Sequence, residues 1–137
     1  MKTGIRSKHA VVHKPPYMLY MAFVDMRNFT QMVPEDKRGE FRLEADYDSV
    51  HAVVQGFNVG VKVLERVPYS RIDFADDGAP FQFSVSMHFD AVDGQPDSTD
   101  FSVEVNAELN FMMKMMLSSR IQEALDKMVD GLAANGQ

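Results

Sequence analysis

The side chains able to do chemistry are spread thinly along this chain. His88 and Asp90 stand two apart in an alternating stretch, so they share one strand face. A metal site or a proton-transfer pair would need them to converge with further groups. Their face is the polar one, opposite Phe89, which marks a solvated pair. His51 has the same placement on its own strand, and His9 and His13 have no recognisable third ligand. Glu104 and Glu108 share a face, but four strand residues span ~13 Å, too far for a glycosidase carboxylate pair. Asp73, Asp76 and Asp77 gather at a turn without the spacing or closing glutamate of a calcium loop. Ser118 and Ser119 have no histidine at a recognisable spacing, and Gly56, Gly60 and Gly78 are isolated rather than part of a phosphate-binding loop. These residues assign no catalytic group, no metal and no cofactor.

Methionine is the unusual component. The chain has 11, four of them at Met112, Met113, Met115 and Met116, with 10 phenylalanines and no tryptophan. Methionine fills irregular space and adapts to partners of variable shape. On a C-terminal helix, Met112, Met115, Met116 and Ser119 recur at helical spacing, and Met115 and Met116 are expected to face a sheet. Phe81, Phe83, Met87, Phe101, Val103 and Val105 are the expected opposite wall. Tyr20 and Ser119, with Tyr17 and Asn28, are the few hydrogen-bonding groups near it. Such a wall can hold a small hydrophobic ligand but has little means of transforming one. The competing expectation is a filled core, with the protein acting through its surface or as a homodimer.

Composition narrows the field. At 137 residues, 45% apolar and 25% charged, the chain has the size and balance of one globular domain over residues 1–137. The absence of cysteine removes disulfides, thiolate metal sites and cysteine nucleophiles. A net charge of −6 opposes nucleic-acid binding, which needs a cationic face. Lys2, Arg6, Lys8 and Lys14 are the exception, a basic start that suits an edge strand. No segment has the ~20 apolar residues of a membrane span, and residues 1–14 lack a signal-peptide core, so a cytoplasmic location is expected.

The elements that must position these groups follow from periodicity. Residues 5–13 read as a first strand, ended by Pro15-Pro16. Tyr17–Val24 and Phe29–Val33 read as two short helices, the second stopped by Pro34. Period-2 alternation then runs from Phe41 to Leu109, clearest over 81–91 and 101–109, with turns at 76–80 and 93–97. Strands with one dry and one wet face pair antiparallel. From Met112 the period becomes helical, to about residue 134 and ~34 Å long. One apolar sheet face must be covered, and only this helix is long enough to do it.

The strand ending at Pro15-Pro16, the segment Val24-Asp25-Met26-Arg27-Asn28-Phe29 with Pro34 after it, Arg66 to Ile72, and Asp100 to Asn110 before the long helix resemble the START-like, or SRPBCC, superfamily. The resemblance covers nearly the whole chain. It implies an α+β helix-grip fold: a curved antiparallel sheet of six to seven strands wrapped around a long C-terminal helix, with two short helices after strand 1. It also implies a cavity between sheet and helix, which members use for lipids, quinones, hormones or polyketides. Only some members are enzymes of the cyclase or hydrolase type, and no catalytic residue of theirs maps onto this chain. The resulting expectation is a non-catalytic binder of a small hydrophobic ligand.

Overall fold

The computed structural model describes residues 2–28, 42–54, 57–79 and 81–136. The expected short helix over 29–33 and the charged loop over 35–39 lie outside the described residues. The chain runs β1 (Lys2–Arg6), β2 (Ala10–Val12), α1 (Pro16–Phe23), a 3-10 turn (Met26–Asn28), β3 (Glu44–Ala45), β4 (Ser49–Val54), β5 (Phe57–Val67), β6 (Arg71–Asp76), β7 (Phe83–Val92), β8 (Gln95–Glu108) and α2 (Phe111–Gly136). These strands form one antiparallel sheet in the order β1-β8-β7-β6-β5-β4-β3, and β2 also pairs β8. This is the helix-grip architecture that alternation and the late helical period predict.

The described sheet has eight strands because the expected first strand is two. Ser7 turns its side chain inward between β1 and β2. Its backbone N–H donates to the Val103 carbonyl at 2.8 Å, and its Oγ accepts from the Val103 N–H at 2.9 Å. The turn after β7 is also shorter than expected. Asp93-Gly94 alone closes it, with Gly94 at φ +75°, a conformation that disfavours any side chain. Gln95, Pro96 and Asp97 therefore belong to β8.

The core starts at α1. Pro16 opens the helix at a position where its missing N–H costs nothing. Leu19, Tyr20 and Phe23 point down at the sheet. The Phe23, Phe89 and Phe101 rings stack with centroids 5.6–6.0 Å apart. Along α2 the buried stripe is Met113, Leu117, Ile121, Leu125 and Val129, spaced by four. It packs against β1, β2 and β8. Polar ties hold it there: the Lys8 N–H donates to Asp126 Oδ1 at 2.7 Å, Gln122 donates to the Arg6 carbonyl, and Lys8 Nζ pairs with Asp130 at 2.6 Å.

The opposite half of the sheet is pinned by one arginine. β5 carries a bulge between Val63 and Glu65 that leaves Leu64 exposed and shifts the register by one. A bulge re-aims the side chains after it. Val63 lies opposite the buried Phe74 and Arg66 opposite the buried Ile72, so both face inward although they are three apart. Arg66 Nε donates to the Val24 carbonyl at 3.0 Å, one Nη to Asp48 at 2.9 Å, and the other to the Tyr47 carbonyl at 2.8 Å. Its guanidinium lies 4.2 Å from the Tyr47 ring centroid. The end of α1 is thereby fixed to the β3–β4 connection, and the Met26 N–H adds a bond to the Tyr47 carbonyl at 3.2 Å. A lysine cannot reproduce this fork. Arg66→Lys is expected to cost about 2–3 kcal/mol in urea unfolding, the range for hydrogen bonds to a charged group. A loss below ~0.5 kcal/mol would show that α1 is held by packing alone.

Candidate functional site

A cavity of about 210 Å³ lies between the sheet and α2, lined by Met26, Val50, Val61, Phe74, Val85, Met87 and Leu125. Each strand from β4 to β7 contributes to its floor. Val50 and Val61 are cross-strand partners, and so are Phe74 and Val85. Cross-strand pairs of β-branched and aromatic side chains stabilise a sheet. Met26 arrives from the 3-10 turn, and Leu125 from the buried stripe of α2. Among the described residues, no lining side chain carries a charge, a hydroxyl or an amide. The lining can exclude water and complement an apolar shape. It offers no acid, base or nucleophile to a reacting bond.

The residues expected to form the wall are distributed over four places. Met87 lines the cavity. Tyr20 and Phe101 belong to the neighbouring aromatic core, where Tyr20 meets Phe89 at 6.0 Å and Tyr69 at 5.4 Å, both edge-on. Burial raises the pKa of the Tyr20 phenol, while the nearby Arg66 charge pulls the other way. Val103 and Val105 are buried on β8, a strand against which α2 packs. Phe81 and Phe83 are half-buried and pack mainly on each other and the core margin, centroids 5.8 Å apart.

The helix residues require a correction. Met112, Met115 and Met116 are 70%, 71% and 64% exposed, and Ser119 is exposed too. They stand on the outer side of α2 and contribute nothing to the cavity. Two apolar stripes compete on this helix, and burial selects the one rich in leucine, isoleucine and valine. Only that stripe continues down the whole helix; the methionine stripe ends in Ser119 and Glu123. The cavity residues missing from the expected wall are legible as dry-face positions: Val50, Val61, Phe74 and Val85 all sit on the apolar side of their alternations. Periodicity does not reveal how the helix divides the sheet.

The polar groups lie elsewhere. On the outer face, His88 Nε2 is 3.4 Å from Glu104 Oε1, and Glu104 also pairs with Arg6 at 3.2 Å. His88 thus meets Glu104 across the strands instead of Asp90 beside it. His9 Nδ1 lies 2.9 Å from Asp100. These groups border a shallow depression of about 150 Å³. At the far edge, His51 Nε2 and Asp77 Oδ2 are 2.8 Å apart beside Gly60. A Cβ on Gly60 would collide with both the Asp77 carbonyl and the His51 ring. Among the described residues, no three metal-ligating side chains converge, and no helix is long and apolar enough to cross a membrane.

No family model and no curated protein matches this chain. Solved structures do. Norcoclaurine synthase from Thalictrum flavum, in complex with dopamine and hydroxybenzaldehyde, superposes with TM-score 0.73 over 98% of this chain and 86% of its own, at 12% identity. A START superfamily protein from Mycobacterium smegmatis gives 0.71 over 98% and 95%, at 14% identity. The protein TTHA0849 from Thermus thermophilus gives 0.67 over 98% and 97%, at 15% identity. The fold is START-like. The order β1 to α2 is therefore that of the helix-grip proteins, and the apolar cavity occupies the space between the gripping sheet and the gripped helix.

A residue beside empty space has fewer contacts to lose than one in close packing. Leu125→Ala is expected to cost about 2–3 kcal/mol, while Leu109→Ala, fully buried in the core, costs about 4–5 kcal/mol. Urea unfolding of the two variants checks the order. A reversed order would mean that the cavity closes in solution.

Proposed function

We propose that this protein binds a small, uncharged hydrophobic ligand in the cavity beneath Leu125 and does not transform it. One observation carries the reading: among the described residues, seven converging side chains, all apolar, line a half-open space of about 210 Å³. A void of roughly 150 Å³ lined by such groups stays dry and accepts a benzene-sized guest. Pockets for larger, drug-sized ligands run to ~300–1,000 Å³. The volume therefore favours one aromatic ring or a short branched chain over a whole lipid, quinone or polyketide. Norcoclaurine synthase, solved with dopamine and hydroxybenzaldehyde, also holds single-ring compounds, two of them in one complex. The non-catalytic part rests on the composition of the lining.

Thermal unfolding with toluene tests it. A ligand at about ten times its dissociation constant adds ~1.4 kcal/mol, or a rise of roughly 3–5 °C for a chain of this size. Val85→Phe fills the space and is expected to abolish the response while leaving the melting temperature of the free protein unchanged or higher. The absence of any response in the parent would defeat the proposal.

A further inference from the structure

The four most exposed large apolar side chains of α2 form a single patch. Phe111, Met112, Met115 and Met116 are 64–71% exposed and lie within six residues on the side of α2 turned away from the sheet. Together they leave on the order of 500 Å² of apolar surface, the upper range for the largest patch on a monomeric protein. The described residues that follow do not behave this way. Beyond Ser119 its outer side carries Arg120, Glu123 and Lys127, and Glu123 and Lys127 pair at 3.1 Å. The patch is therefore bounded, and its border is polar.

We infer that this patch is the seam of a two-fold dimer of the protein. The occupant is argued from area and shape. A two-fold axis buries the same patch on both copies, which doubles the area to about 1,000 Å² at full burial, the lower threshold for a biological interface and the size of a weak, reversible one. A different partner would have to bring its own matching surface. Antiparallel crossing about the Met115–Met116 step sets Met112 against Ser119 of the partner subunit, a long flexible side chain over a small one. The remaining methionines straddle the axis, where their unbranched chains can interdigitate. A bilayer is a poorer occupant. Interfacial helices carry a long apolar face with a basic flank. Here the apolar face ends within two turns; its nearest charged neighbours, Lys114 and Arg120, are basic, but Glu123 and Asp130 follow them in a chain of net charge −6. The inference is independent of the cavity, which lies on the other side of the helix.

Sedimentation velocity of the full chain from about 1 to 100 µM tests it, a range that brackets the affinity of a small interface. The parent is expected to pass from monomer to dimer. Met112→Glu combined with Met116→Glu should weaken association by roughly 100-fold or more with an unchanged circular dichroism spectrum, because both positions are exposed. Met21→Glu, on the exposed side of α1, should leave association unaltered. The chain has no cysteine, so Met115→Cys gives a second, independent readout: mild oxidation should cross-link it, and Met21→Cys should stay uncross-linked. A parent that is still monomeric at the highest concentration overturns the inference, and so does a dimer insensitive to the α2 substitutions. Co-sedimentation of a monomeric parent with phosphatidylcholine vesicles would assign the patch to lipid instead.

Discussion

A single helix is about 10 Å wide, and a sheet of seven strand widths is about 30 Å across. That mismatch governs this structure. α2 cannot cover the whole inner face, and it settles over β1, β2 and β8, where Arg6 and Lys8 offer it polar anchors as well as apolar area. The inner face over β4 to β7 is left to other cover. α1 closes one end by stacking Phe23 on Phe89 and Phe101. Between the two lies the cavity, bounded by the last residues each of them can supply: Met26 from the α1 side and Leu125 from α2.

The placement of Met26 depends on a distortion in β5, two residues before Arg66. The bulge at Leu64 rotates Arg66 to the inner side, where three hydrogen bonds and a ring contact tie α1's end to the β3–β4 connection. With regular alternation Arg66 would face outward, the Val24 carbonyl would lose its Arg66 donor, and the Tyr47 carbonyl would keep only the Met26 N–H. An arginine at the inner margin of a sheet is tolerable because each bond goes to an oxygen and the side chain remains partly solvated. The outer face obeys a different rule. Its histidines and carboxylates pair across strands in water-accessible positions, where such pairs add little stability and serve mainly solubility and register.

α2 presents two apolar surfaces with different consequences. The leucine, isoleucine and valine stripe closes the fold and bounds the cavity. The methionine and phenylalanine patch faces away from it. A filled-core interaction module and a ligand carrier are opposed readings of the sequence; the proposed ligand cavity and the proposed dimer seam lie on opposite sides of one helix. Of the methionine cluster that points to a ligand in the sequence, Met112, Met115 and Met116 belong to the outer side, and the cavity is lined instead by three valines with the separate Met26 and Met87.

Element types and their order were determined by the sequence itself. Alternation over Phe83–Ala91 and Phe101–Ala107 allows no other structure, because a period of two sorts side chains between faces without reference to the rest of the chain. The proline pair before α1 and the helical period after Asn110 are equally local. The dry faces of β4 to β7, and with them most of the cavity floor, could be read in the same way. Three features could not. The split of the first strand at Ser7, the bulge at Leu64 and the choice between two apolar stripes on α2 each depend on what lies opposite. A one-residue bulge leaves composition unchanged but reverses every face after it, and two stripes on one helix differ only in which finds a matching surface. Those outcomes are set by packing across the fold, where the narrow helix meets the wide sheet, and the position of the cavity follows from them.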